Sequence, residues 1–130
     1  MSQLIKLFLD DVRLPSEIWK NSLDPIYEKD HTWIIVRTYD EFVAFIEKTG
    51  IANIGFVSFD HDLDWHHYKL DNQQNIDYDS LEVKTGYHAA KWLIKYCQQQ
   101  GCTLPEYKVH SMNPEGKRNI ENLLNKFQRI

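Results

Sequence analysis

The chain has 130 residues, 42% hydrophobic and 13% aromatic, with a net charge of −4 and a pI near 5.8. That is the size and make-up of one globular domain, long enough to bury a core and too short for two. The acidic balance excludes a protein that tracks along nucleic acid through many Lys and Arg contacts, and no run approaches the roughly 18 apolar residues of a membrane span.

At the N-terminus, MSQLIKLFLDD carries no basic segment followed by a long apolar one, so a cytoplasmic location is expected. The apolar run from Leu4 to Leu9 reads as a first strand. It ends in Asp10 and Asp11, with Arg13 two residues further on. Adjacent carboxylates repel, more strongly when partly buried, so this pair calls for a cation, a shared proton or solvent. From Pro15 to His31 the pattern is poor, and Pro15 and Pro25 leave room for at most a short helix around Glu17 to Asn21. Trp33 to Val36 is a second strand. Thr38 and Glu41 then form a capping box for a helix carrying Phe42, Phe45 and Ile46, which Gly50 ends.

Ile54 to Phe59 is the third strand, and Asp60, His61 and Asp62 close it. The connection from 62 to 84 is long for a compact domain. Within it Trp65, His66, His67, Tyr68, Tyr78 and Asp79 read as recognition residues, and 64–84 as a loop insertion or lid. Thr85 caps a helix whose stripe is Ala89, Trp92, Leu93, Tyr96 and Cys97, closed by Gly101. Cys97 and Cys102 form no C-x-x-C pair and read as idle thiols. Tyr107 to His110 is a weaker, edge-like strand. Asn113 caps a last helix with Pro114 at its first position and Ile120, Leu123, Leu124 and Phe127 as its stripe.

Strands alternating with helices predict an α/β fold, a single domain over 1–130. Its four-stranded, mainly parallel sheet has the expected order 2-1-3-4, right-handed crossovers and a degenerate first crossover. In such sheets ligands bind outside the carboxyl ends of the strands, where the strand order reverses. The first and third strands flank that point, so Asp10 and Asp11 should converge with Asp60, His61 and Asp62. His110, Ser111 and Asn113 should lie nearby, at a helix N-terminus suited to a phosphate. Singly, each group has a plainer reading: a solvated turn, an ion-paired arginine, a packed histidine, a helix cap. Their joint placement is what argues for a cleft.

Four segments, "LDDVRLP" (9–15), "FDHDL" (59–63), "TGYHAAKWL" (85–93) and "VHSMNPEGKRNI" (109–120), resemble the signatures of the cyclic-phosphate processing receiver domains, a family derived from the phosphoacceptor receivers of bacterial signalling. The resemblance spans nearly the whole chain, excepting 16–30 and 64–84. In signalling receivers the matching acidic residues bind Mg²⁺. Such receivers also have a fifth strand ending in a lysine, and neither is found here, which disfavours phosphorelay.

The resemblance implies a phosphoesterase of the cyclic phosphodiesterase type. Its substrate would be a small nucleotide or an RNA end carrying a 2′,3′-cyclic phosphate. In that reading Asp10, Asp11, Asp60 and Asp62 hold Mg²⁺ or Mn²⁺, with Asp62 able instead to orient His61. Arg13, Ser111, Asn113 and Thr85 bind phosphate or substrate, and His61 and His110 are the acid/base pair beside Asp60. The rival is a non-catalytic degenerate receiver that binds a nucleotide or a protein through the same cleft, or a metal-dependent scaffold for a partner protein.

Overall fold

The structure is a computed structural model that describes residues 4–63, 77–81 and 83–128. Its strands are β1 (Ile5–Leu9), β2 (Trp33–Val36), β3 (Ile54–Phe59) and β4 (Glu106–Val109). They pair in parallel in the order β2-β1-β3-β4, as the sequence pattern predicts. The helices are α1 (Pro15–Ser22), α2 (Tyr39–Thr49), α3 (Gly86–Gln100) and α4 (Pro114–Gln128). Together they make the four-stranded parallel α/β architecture that the resemblance implies.

Helix starts follow the caps. The Thr38 hydroxyl accepts from the Glu41 N–H at 3.0 Å, and the Asn113 side-chain oxygen accepts from the Gly116 N–H at 3.0 Å. In the first crossover α1 is longer than its expected Glu17–Asn21 core, because Pro15 supplies a preset first turn. Single turns of 3₁₀ helix at Pro25–Tyr27 and Asp30–Thr32 complete the crossover, tied back by Ser16, whose N–H and hydroxyl both donate to Asp30 at 2.7 and 3.0 Å.

Side-chain alternation along the strands sorts the core into two layers. Leu7, Leu9, Val57, Phe59 and Val109 face the large core made with Phe42, Ile46, Leu93, Ile120 and Leu124 from α2, α3 and α4. Phe8 faces the other way, into a smaller aromatic core with Ile18, Tyr27 and Trp33. Residues just past the strand ends continue this alternation, which decides who meets whom at the carboxyl edge.

In the long connection Tyr78–Ser80 form a 3₁₀ turn. Trp65, His66, His67 and Tyr68 lie outside the described residues, as does the rest of 64–76. Among the described residues no helix is long and apolar enough to cross a membrane.

Candidate functional site

Past the end of β1, Asp10 is fully buried on the α1 face. Its Oδ1 accepts from the N–H groups of Val12 (3.0 Å) and Arg13 (2.8 Å), so the carboxylate folds its own following turn around itself. The Arg13 side chain then returns across the strand ends: Nε donates to Asp10 Oδ2 at 2.9 Å and Nη2 to Asp60 Oδ1 at 3.4 Å. Arg37 braces this turn from β2, donating to the carbonyls of Asp10 (3.2 Å) and Arg13 (2.7 Å).

His110, the first residue past β4, closes the group. Its ring stacks on Phe8 with centroids 4.5 Å apart, and its Nε2 lies 3.1 Å from Asp10 Oδ2. An ionised carboxylate only accepts, so Nε2 carries the proton; Nδ1 then accepts from the Ser58 hydroxyl at 2.6 Å, which pairs with the Tyr27 hydroxyl at 2.6 Å. Asp10, Asp60 and His110 each bring one polar atom to within 4.8 Å of the others.

Electrostatics divides the two carboxylates. Burial alone would raise Asp10, but the hydrogen bonds from His110, Arg13 and Val12 and the charge of Arg13 overcome it and hold the group well below the usual carboxylate range. Asp60 accepts fewer bonds. Its burial, followed by the Asp10 charge, pushes it up to about 8 against the opposing pull of Arg13. Burial lowers His110 despite Asp10 beside it, leaving a neutral ring at pH 7. Compensation of these two buried carboxylates is thus shared: Asp10 is matched by the Arg13 guanidinium, and Asp60 keeps its proton.

His61 stands on the opposite face. Its Nδ1 lies 2.8 Å from Asp62 Oδ1 and its Nε2 2.9 Å from the Tyr78 hydroxyl, which also accepts from Asn119 at 2.9 Å. Asn113 donates to the same Asp62 oxygen at 3.3 Å. The ring is fully buried, and α4 lies so close over it that a Cβ on Gly116 would come within 2.3 Å of it. On α3, Gly86 meets the same strand end: a Cβ there would lie 1.7 Å from the Asp60 carbonyl oxygen. Both glycines are required by close approach rather than by backbone conformation.

The expected site residues therefore separate. Asp10, Asp60, His110 and Arg13 come together, whereas His61 and Asp62 form a second cluster with Asn113, and Asp11 lies outside the three-residue group. Asp62 orients His61. Thr85 is buried and caps α3, accepting from the Tyr87 N–H at 3.1 Å. Asn113 caps α4 and bridges to Asp62, while Ser111 accepts from the Asn113 N–H at 3.1 Å and lines a cavity beside His110.

Missed from the sequence were Tyr27, Ser58 and Arg37. Of these Ser58 had a signal, being the lone polar side chain in IGFVSF and in phase with Asp60.

Two carboxylates and an imidazole within reach of one point can in principle hold a divalent cation. Here the guanidinium of Arg13 already bonds both carboxylates, and one of them retains its proton. A cation at this point would have to displace the Arg13 guanidinium and the Asp60 proton.

Compared with known protein families, residues 5–126 match the model of the cyclic-phosphate processing Receiver domain. No curated protein and no solved structure matches the chain.

Proposed function

The chain belongs to the cyclic-phosphate processing receiver domain family, and we propose that its Asp10–Asp60–His110 cleft hydrolyses a cyclic phosphate. The observation that carries this reading is the convergence of the three buried groups within 4.8 Å under a guanidinium that spans two carboxylates. Opening a cyclic phosphodiester forms one P–O bond to water and breaks one to a sugar oxygen. It needs positive charge on the phosphoryl oxygens, an acceptor for the water proton and a donor for the leaving oxygen.

Arg13 is a fork donor suited to two phosphoryl oxygens. Asp60, protonated near neutral pH, donates to the departing sugar oxygen. The Asp10 carboxylate, the ionised acceptor of the group, takes the proton of the attacking water, and His110, its ring fixed by Ser58 and Phe8, orients it through Nε2–H. Groups whose surroundings drive their proton affinities apart are natural acid and base partners. Their spacing of under 4.8 Å lets the proton return from Asp10 to Asp60 and reset the site. In this reading Arg13 supplies the positive charge assigned to Mg²⁺ or Mn²⁺ from the sequence, and His61 takes no part in proton transfer.

The test is to incubate the protein with a 2′,3′-cyclic nucleotide and follow the phosphorus resonance. Conversion to a single phosphomonoester is expected, with His110→Asn slower by at least about 10²-fold. A nucleotide that raises the melting temperature and is recovered intact overturns hydrolysis and leaves the domain a binding module.

A further inference from the structure

Beside His110 a cavity of about 500 Å³ opens on the α1 face, within the roughly 300–1,000 Å³ of small-molecule clefts. Arg13, His110, Ser111, Tyr27, Lys108 and Lys117 are among its lining residues. A second cavity of about 360 Å³ adjoins it. It shares Lys108, Val109 and Lys117 with the first and continues past Tyr107 and Asn125 along the edge of β4 and α4.

Two cavities in series, joined at a pair of lysines and starting at the phosphate cleft, form a groove with a direction. Its charge runs against that of the chain. The protein carries −4, yet the two cavities together hold Arg13, Lys108 and Lys117 against two carboxylates, Asp24, which pairs with Lys108, and Glu121 in the second. Among the described residues no ion pair involves Lys117, and its side chain is exposed at the shared wall.

From this, and resting on the phosphoester reading above, we infer that the substrate is the 3′ end of an oligoribonucleotide rather than a free cyclic mononucleotide. The terminal nucleoside occupies the first cavity with its cyclic phosphate at Arg13. The phosphodiester on its 5′ side lies on Lys117 and Lys108, and the next nucleoside enters the second cavity, against Tyr107. A single phosphate contact beyond the reacting one suits a chain too acidic to follow a long strand.

Two uncleavable probes test this: a ribonucleoside 3′-monophosphate and a diribonucleotide with the same 3′-terminal phosphate, titrated calorimetrically at several salt concentrations. The dinucleotide is expected to bind at least about 10-fold tighter, with a logarithmic salt slope steeper by about 0.7, the value for one added single-strand phosphate contact. Lys117→Ala, an exposed helical position where folding is not at risk, should bring the ratio of the two affinities to near one, and Lys117→Arg should restore it. Equal affinity for both probes in the wild type, or a ratio that survives Lys117→Ala, overturns the groove. Tighter dinucleotide binding without turnover of its cyclic form rejects hydrolysis and keeps the groove. Turnover of both cyclic forms with equal affinities keeps hydrolysis and rejects the groove.

Discussion

Two histidines sit at the carboxyl edge of this sheet in nearly the same immediate setting. His110 lies between a carboxylate at 3.1 Å and a serine hydroxyl at 2.6 Å, and His61 between a carboxylate at 2.8 Å and a tyrosine hydroxyl at 2.9 Å. What differs is the next layer. Around His110 there is a second carboxylate, a guanidinium across both acids and a cavity wall. Around the His61 ring there are the Asn113 amide, the Tyr78–Asn119 pair and the backbone of Gly116, while Asp60 is met by the His61 backbone N–H at 2.9 Å and not by its ring. A histidine–carboxylate pair closed off by neutral donors is a structural strut. The same pair beside a second acid and a cation is a loaded electrostatic site, and the comparison teaches that the surrounding charge, not the dyad, sets the two apart.

Removing the loaded charges should have the largest effects. Asp60→Asn keeps a neutral group of the same shape yet removes the transferable proton, and turnover of a cyclic nucleotide should fall by about 10²–10⁴-fold. Arg13→Ala should cost about 10²–10³-fold, the usual loss when a charge-stabilising donor is deleted, while exhaustive chelation leaves the wild-type rate unchanged. A chelator-sensitive wild type would transfer the positive charge from Arg13 to a metal and erase the electrostatic contrast with His61.

On the other side the expected readout is stability. Gly116→Ala would place a methyl group 2.3 Å from the His61 ring, where neither α4 nor the fully buried ring has space to yield. A loss of about 1–3 kcal/mol is expected in denaturant titration, with turnover per folded molecule changed far less than by Asp60→Asn. If Gly116→Ala keeps full stability but loses turnover, His61 belongs to the reaction and the two sides are one site.

Much of this was legible in the sequence, for identifiable reasons. The central strands β1 and β3 are short apolar runs buried along most of their length, and three helix starts carry hydroxyl or amide caps, so order and topology follow from local pattern. Convergence of Asp10 with Asp60 followed from the switch-point rule. The His61 ring falls away from His110, against the expected convergence, because side chains alternate and adjacent residues at a strand end point to opposite faces. Tyr27 could not be read, since its place under His110 depends on a 3₁₀ turn in a segment without periodicity. Nor could the reach of Arg13 to Asp60, which depends on the turn that Asp10 and Arg37 impose.

The mildest test of the contrast is the pH dependence of folding. Between the ordinary value of 3.8 and about 8 the native state holds a proton on Asp60 that the unfolded chain has released. Native protein therefore binds more protons than unfolded, and stability should decline as pH rises through that window, by at most about 1.4 kcal/mol per pH unit for one group. Asp60→Asn removes the titration and should flatten the decline, so the variant gains on the wild type steadily from pH 4 to 8. Asp10 works in the opposite sense: its lowered value adds stability that is present above 3.8 and lost as pH falls below it. That loss lies outside the window and leaves the comparison clean. Melting curves of the two proteins that stay parallel from pH 4 to 8 would mean that Asp60 is ionised in the fold, and with it the acid assigned to the His110 side would be lost.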